Sequence, residues 1–517
     1  MTRLHFSLLF SVLVVHALTQ APVITWQRCL GGSGTDTPKA VKATQDGGII
    51  VAGLSNSTDG DVSCNDSVDA WIIKLDSTGE ISWENCISGV SYQPDSGDDI
   101  VECSDGGFLM VGYTASSAGE VINVPNCSQC FWLVRLSSSG EILWQRKHGS
   151  FGVHHPHAVI NTADDGFLVV GGANFAQNPS IGVDVYVIKV DAAGNLEWSS
   201  NYGGSHVPGV GFYGDIANSV LEVPNGYIIL GETLTNDGDV SGNHGDFDYW
   251  AIKIAFDGEL LWQKCYGGSL KDIGKIIAPL NDGTFVLGGF TQSSDGDVST
   301  NNGADGVSDV WIVNIDSNGN ILWEKSFGGS GEDELSGMRP MPDGGVLISA
   351  HSNSLDGDVS SNIGLEDLWL IKLGMNGEVQ WQQSYGGTDR DLYFKLDVLN
   401  GDYVVAGSVR STDFDVSGNH GASDTWVVKF ASTVGIAEPC FPKFQMAPNP
   451  STGQVRLALL SADRGFISIV DPLGRRTFST TFAGRTHQLD LSDHAKGIYI
   501  VTIQTEQGIS SQRLILE

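Results

Sequence analysis

Val23 to Asp36 read VITWQRCLGGSGTD. The phrase returns as WQKCYGGSLKD from Trp262, WEKSFGGSGED from Trp323 and WQQSYGGTDRD from Trp381. Its heads are Trp26, Trp83, Trp144, Trp198, Trp262, Trp323 and Trp381, spaced by roughly 60 residues, and self-similarity at such a period marks a repeat architecture. A second series, Trp71, Trp132, Tyr186, Trp250, Trp311, Trp369 and Trp426, opens phrases such as DAWIIKLDSTGE and DVWIVNIDSNGN. The two series hold all 13 Trp of the chain. A core position filled once per unit accounts for that; thirteen separate functional Trp do not.

Each unit divides into four short strands. The first follows the Gly-Gly loop (AVKAT, KIIAP), and an Asp/Asn-Gly turn leads to the second (IIVAGLS, YVVAGSV). A long loop, often containing DGDVS, leads to the third (WIIKLD), and a Gly turn to the fourth (ISWENC, ILWEKS). Alternating apolar and polar residues between such turns indicate strands and hairpins. The 66 Gly in 517 residues fit many tight turns. Four-stranded units stacked radially make a β-propeller. The units supply seven third strands, the last being Thr425 to Phe430, and no fourth strand follows it. Val23 to Cys29 is a fourth strand with no unit of its own, and pairing the two removes two exposed edges. The sequence therefore predicts an all-β chain: a seven-bladed β-propeller over residues 21–431, closed by its N-terminal strand, followed by a small C-terminal β-sandwich domain.

The charge balance is 28 Lys+Arg against 61 Asp+Glu, a net charge of -33. Such a surface repels nucleic acid and attracts cations. MTRLHFSLLFSVLVVHALTQ, residues 1–20, has one early charge, an apolar stretch and a small-residue end, the pattern of a secretory signal peptide. No later apolar stretch is long enough for a transmembrane helix. In an exported chain the eight Cys are expected to form disulfides. Cys127 and Cys130 lie in one CSQC loop; without a second CxxC, a local disulfide or two free thiols fits better than zinc.

The repeat stops after Ala431. Residues 432–445 carry two Pro and read as a linker, and MAPNPSTGQVRLAL, ISIVDPLGRRTF, LDLSDHAKGIYIVTI and SQRLILE follow. On Pro448-Asn449-Pro450, Asp471 with Gly474, Leu489 to Leu491, Gly497-Ile498-Tyr499 and Leu514-Ile515, residues 446–517 resemble the type A C-terminal sorting domain of the type IX secretion system of Bacteroidetes. Arg513 stands where that family usually has Lys. The resemblance implies export, with the type IX secretion machinery as partner, and a secreted or outer cell-surface location. The repeat units resemble the DGDVSGNHG-type repeats of secreted Bacteroidetes proteins, a resemblance that implies no reaction. The segment 446–517 holds 7 Lys+Arg and 6 Asp+Glu, so the acidity belongs to the repeats.

DGDVS raises the question of calcium. Asp237, Asp239, Ser241, Asn243 and Asp248 occupy positions 1, 3, 5, 7 and 12 of a cation-loop pattern, and Asp413, Asp415, Ser417, Asn419 and Asp424 repeat it. Asp356, Asp358, Ser360 and Asp367 fit without the central Gly. Against a metal, the closing residue is the short Asp, and the third unit lacks DGDVS yet keeps Asp184 before its third strand. Asp and Ser also satisfy turn amides unaided, so a structural turn is the simpler reading. The Asp opening each first strand (Asp36, Asp99, Asp215, Asp272, Asp333, Asp391) reads as turn capping, with His157 in its place in the third unit.

Where units differ, binding is expected. HGSFGVHHPHAV gathers His154, His155 and His157, and the long loop GGSHVPGVGFYGD adds His206 and Tyr213. These five form a candidate ligand pocket or transition-metal site, with loop drift as the plain alternative. No G-x-S-x-G, HExxH, phosphate-loop or dinucleotide fingerprint occurs. The leading reading is a secreted binding or scaffold propeller for an extracellular glycan or protein. The rivals are a polysaccharide-active lyase or hydrolase using the irregular loops of units three and four, and a purely structural surface protein.

Overall fold

The computed structural model describes residues 21–64, 68–87, 94–114, 129–149, 153–174, 182–205, 214–304, 306–399, 401–431, 444–459, 464–471, 475–484, 486–505 and 508–516. The expected signal peptide and residues 432–443 of the expected linker lie outside them. The chain divides into two compact units, Met1–Ser432 and Thr433–Glu517. Among the described residues every regular element is a β-strand, and no helix is long and apolar enough to cross a membrane.

The first unit repeats one four-stranded antiparallel sheet, the kind of unit that forms a propeller blade, and seven such sheets occur among the described residues. The first sheet runs Asp36–Ala43, Ile49–Ser55, Asp69–Leu75, Ile81–Ile87. The first strands of the other six are Asp95–Glu102, Val153–Asn161, Ile216–Val223, Asp272–Pro279, Asp333–Pro340 and Asp391–Leu399. Strand Val23–Leu30 is the fourth strand of the last sheet. It pairs antiparallel with Asp424–Ala431 and sets Cys29 opposite Trp426. Each first strand packs beside the first strand of the next sheet, and Asp391–Leu399 packs beside Asp36–Ala43. The first strands are therefore the inner ones.

The core lies in layers between successive sheets. One layer joins Ile50, Ala52 and Ile72 to Phe108, Met110 and Trp132; another joins Val427 and Val404 to Val41, Val51 and Trp71. Trp132, Trp250, Trp311, Trp369 and Trp426 are fully buried. Truncating such a side chain typically costs about 3–5 kcal/mol. A buried indole N–H also needs an acceptor. The residue after each fourth-strand Trp supplies it: Trp71 donates to Glu84, Trp132 to Gln145, Trp250 to Gln263, Trp311 to Glu324 and Trp369 to Gln382. Trp426 donates at 2.6 Å to Gln27, on the N-terminal strand. The two Trp series are thus one structural device.

The first series has a second task. A Cβ on Gly79 (φ 84°) would lie 2.9 Å from the Trp26 ring, so the turn between third and fourth strands needs a residue that is both left-handed and flat. Cys64 and Cys86 form a disulfide that ties the long loop of the first sheet to its fourth strand. Cys130 is also disulfide-bonded, and Cys127 lies outside the described residues.

The second unit has a three-stranded sheet (Phe444–Ala447, Gln454–Leu459, Thr486–Asp490) and a four-stranded sheet (Arg476–Ala483, Arg464–Val470, Gly497–Thr505, Gly508–Leu516). They share a core of Val455, Leu457, Leu489, Ile467, Ile469, Val501 and Leu514. Asn449 clamps the C-terminal strand, donating to the Arg513 carbonyl at 2.8 Å and accepting from the Ile515 amide at 2.9 Å. Residue 513 contributes its backbone carbonyl to this clamp.

Candidate functional site

Backbone hydrogen bonds fix which residue opens each inner strand. The amides of Asp36, Asp95, Asp272, Asp333 and Asp391 each donate to a carbonyl of the loop before the preceding sheet's third strand, and the His154 amide does the same to Gln129. Two expectations are corrected. The second sheet opens on Asp95, not Asp99, and His154, not His157, takes the Asp place in the third. Asp99 lies four residues further on, with its amide in the ladder opposite Val111.

Three residues beyond each opener, the register slips. The skipped residue is Lys39, Asp98, His157, Asn218, Lys275 and Ser336 in the first six sheets. The seventh skips two, Tyr393 and Phe394, before Lys395. A bulge re-aims side chains out of the pleat. Six of these sheets place a polar residue there, Lys in two of them and Asp, His, Asn and Ser in the other four. Burial pushes the amine of Lys395 in the seventh sheet down to about 8, and Lys275 and Lys39, from the fifth and first sheets, lie close enough to add to it. The same three lysines reach His157 of the third. The bulges of non-adjacent sheets therefore face one common space.

Within it, Asn218 donates to Glu232 and to the Gly274 carbonyl, both at 2.8 Å. Its Oδ1 is left to accept, so the His157 Nδ1 at 3.0 Å carries the proton. Burial holds His157 down near 4, and it is neutral at pH 7. In the seventh sheet Phe394 turns inward against Trp426, and Gly407 makes room: a Cβ there would lie 2.2 Å from the ring. Tyr393 is left at φ 61° and half exposed. A bulky residue in the left-handed region is strained, and strain collects at functional positions.

The three expected histidines part company. His154 is fully buried between sheets, His155 stacks on Tyr113 at 4.4 Å with Nε2 on Gln129, and His157 faces the common space. His206 and Tyr213 lie outside the described residues. Among those described, the one group of three metal-type ligands within 4.8 Å is Cys64, Asp69 and Cys86, and its two sulfurs are joined to each other.

The DGDVS oxygens hold backbone. Asp237 accepts from the Ser205 amide and Asp239 from Gly203, while Asn243 donates to the Thr233 and Asp246 carbonyls. Ser241 accepts from Gln263, and buried Asp248 accepts from the His244 amide and Nδ1. Asp413 and Asp415 brace Thr388 and Gly386, Asn419 spans its loop, and Asp424 takes His420. Asp356 and Asp358 hold Ser330 and Gly328, and Asp367 holds Ile363 and Gly364; Ser360 and Ser417 point to solvent. Val240, Val298, Val359 and Val416 anchor these loops in the core. A surface cleft of about 420 Å³ beside Ser241, Gln263 and Tyr266 includes none of the bulge residues.

The tri-His run carried one member of the common space. Lys39, Asp98, Asn218, Lys275, Tyr393 and Lys395 were missed. Their signal is a polar residue two to four places after the repeating opener, varying where its neighbours do not.

Residues 445–517 match the family model of the secretion system C-terminal sorting domain. No curated protein matches the chain. Among solved structures, a protein of unknown function from Bacteroides caccae is 14% identical, covering 61% of this chain and 90% of that one at a TM-score of 0.35. The Pan2 WD40 domain of Neurospora crassa is 10% identical, covering 79% and 96% at 0.41. A puromycin hydrolase is 12% identical, covering 94% and 62% at 0.45. These likenesses assign no activity. Residues 445–517 are a type IX secretion system C-terminal sorting domain, and the protein that bears it is exported to the cell surface or secreted.

Proposed function

We propose that residues 21–431 form a seven-bladed β-propeller, closed by the strand Val23–Leu30, which acts outside the cell as a binding or scaffold module. Residues 1–20 serve as signal peptide, 432–445 as linker and 446–517 as the delivery tag. Closure is supported by the pairing of Val23–Leu30 with Asp424–Ala431 and by the Trp426–Gln27 bond. One observation carries the binding role: what repeats in every sheet is occupied with architecture, while the bulge position varies and, with Lys395 beside it in the seventh sheet, gathers Lys39, Asp98, His157, Asn218 and Lys275 around one space. His155 and His157 are held by amide side chains and burial keeps both near 4, an arrangement that suits recognition more than proton transfer.

The DGDVS loops act in this reading as turns. Calcium is then expected to stabilise the protein no more than magnesium or sodium at matched ionic strength, since any cation screens an acidic surface. A calcium-specific rise in Tm that is lost in Asp239→Asn with Asp415→Asn would instead establish the metal.

The test is a glycan and protein array probed with the secreted chain, with and without calcium. Selective hits that a bulge variant such as Asn218→Ala weakens are the expected result. An empty array, or hits indifferent to every bulge substitution, overturns the reading.

A further inference from the structure

Two lysines in the common space lack a counter-charge. Lys39 Nζ stands 5.7 Å from the centroid of the Tyr393 ring, and Lys395 Nζ reaches the Ser336 carbonyl at 3.4 Å. Among the described residues neither has a carboxylate within 4.0 Å. Lys275, 3.8 Å from Glu232, is the third ammonium. Nearby, Lys42 pairs with Asp99 at 3.2 Å and Arg339 with Asp397 at 2.8 Å, and Glu334 lies 3.8 Å from His351. Asp98, the acid that Lys39 and Lys395 both reach, is buried at one unpartnered oxygen and pushed up to about 6. Asp98 and the Glu232 that Lys275 meets together offer at most two negative charges to the three ammoniums.

The protein as a whole is at -33, so this cluster runs against the general charge. The outer carboxylates do not compensate it, because charges beyond about 8–10 Å are largely screened at physiological salt. Like charges held together with burial and without a partner are a standing repulsion, and an anion placed among them relieves it.

The shape adds a second requirement. Tyr393, in its left-handed conformation, is 50% exposed, with Lys39 near its face and the His351 ring 6.4 Å away. A flat aromatic face accepts the C–H face of a sugar ring, and an ammonium at its side accepts a carboxylate on that ring.

We propose that Lys39, Lys275 and Lys395 around Tyr393 form a binding site for an acidic saccharide, a sugar ring bearing a carboxylate. This rests on the binding-module reading above and names its ligand class. Lys39 and Lys395 hold the carboxylate, Tyr393 carries the ring, and Asn218 with His157 borders the site.

The test is calorimetric titration of the full chain with trigalacturonate, with galactotriose as the neutral control. Trigalacturonate is expected to bind at least tenfold tighter than galactotriose and to weaken as sodium chloride is raised. Lys39→Met with Lys395→Met is expected to lower its affinity at least tenfold without lowering Tm, since two repelling charges are removed. Tyr393→Gly, which fits φ 61° without strain, is expected to lower affinity while the fold is kept. Equal binding of the neutral sugar, no binding at millimolar concentration, or full affinity in the lysine variant overturns the site. Sulfate binding as tight as trigalacturonate also overturns it, reducing the cluster to an inorganic anion site. An array ligand bound independently of the lysines would sink this inference and leave the binding module standing.

Discussion

Asp309 and Asp333, fully buried, flank Gly328 between the fifth and sixth sheets. A Cβ on Gly328 would lie 2.3 Å from one carboxylate and 2.7 Å from the other, so only Gly passes between them. The arrangement recurs at Gly267 with Asp248 and Asp272, and at Gly386 with Asp367 and Asp391. Asp309 Oδ1 has no hydrogen bond, and burial pushes the group up to about 7. A folded value above the unfolded one means the protonated form suits the fold. The contribution is full below about pH 4 and is lost as pH rises through 7. Asp309→Asn is therefore expected to raise Tm at pH 8, equivalent to about 1–3 kcal/mol, with the gain vanishing near pH 4. Melting curves at both pH values check this; a loss at pH 8 would show the charge to be needed. The recurring Asp was legible in the sequence as a capping residue. Its buried partner was not, because the two belong to successive sheets. Register was the other blind spot. SYQPDSGDDIVE offers four acids, and local spacing does not say that Asp95 opens the strand; the Val68 carbonyl decides it. In HHPHAV the guide was Pro156, which pairs with Gly171 as Pro38 pairs with Gly53.

Among the elements, the strand Val23–Leu30 was read from the sequence by counting ends, and its pairing follows that count. Cys29 on it corresponds to Cys86 in the first sheet, three residues after the repeat Trp. Cys86 is bonded to Cys64, which follows Asp-Val-Ser; in the seventh sheet that place is Gly418. A Cβ on Gly418 would lie 3.8 Å from the Cys29 Cβ, close to the mean for disulfides. Gly418→Cys is expected to form a disulfide with Cys29 and lock the N-terminal strand to the last sheet. Its φ of 91° adds strain of about 1–2 kcal/mol, less than the roughly 4–5 kcal/mol that a crosslink over so long a loop contributes. Burial pushes the Cys29 thiol up to about 12, so the bond should form during oxidative folding and not by later exchange. Peptide mapping without reductant, and a Tm that falls on reduction, check it. Two free thiols in the folded variant would mean that the strand does not lie as described.

At the scale of the molecule, the sorting tail is a separate unit with its own core. Truncation after Gln445 is expected to leave the Tm of the repeats unchanged while the protein fails to reach the surface or medium. Fractionation and melting of the retained protein check both halves, and normal export would contradict the assignment. The tail was legible because its motifs are short and stand in order. The common space was not, because it is assembled from bulges about 60 residues apart, each unremarkable in its own unit.

Residue 23 pairs with residue 431. Some 400 residues must be made after Val23–Leu30 before its partner strand exists. Contacts this remote in sequence slow folding. Until the two pair, both strands stand as open edges, and in that interval the repeats are most prone to pair with a second copy of themselves.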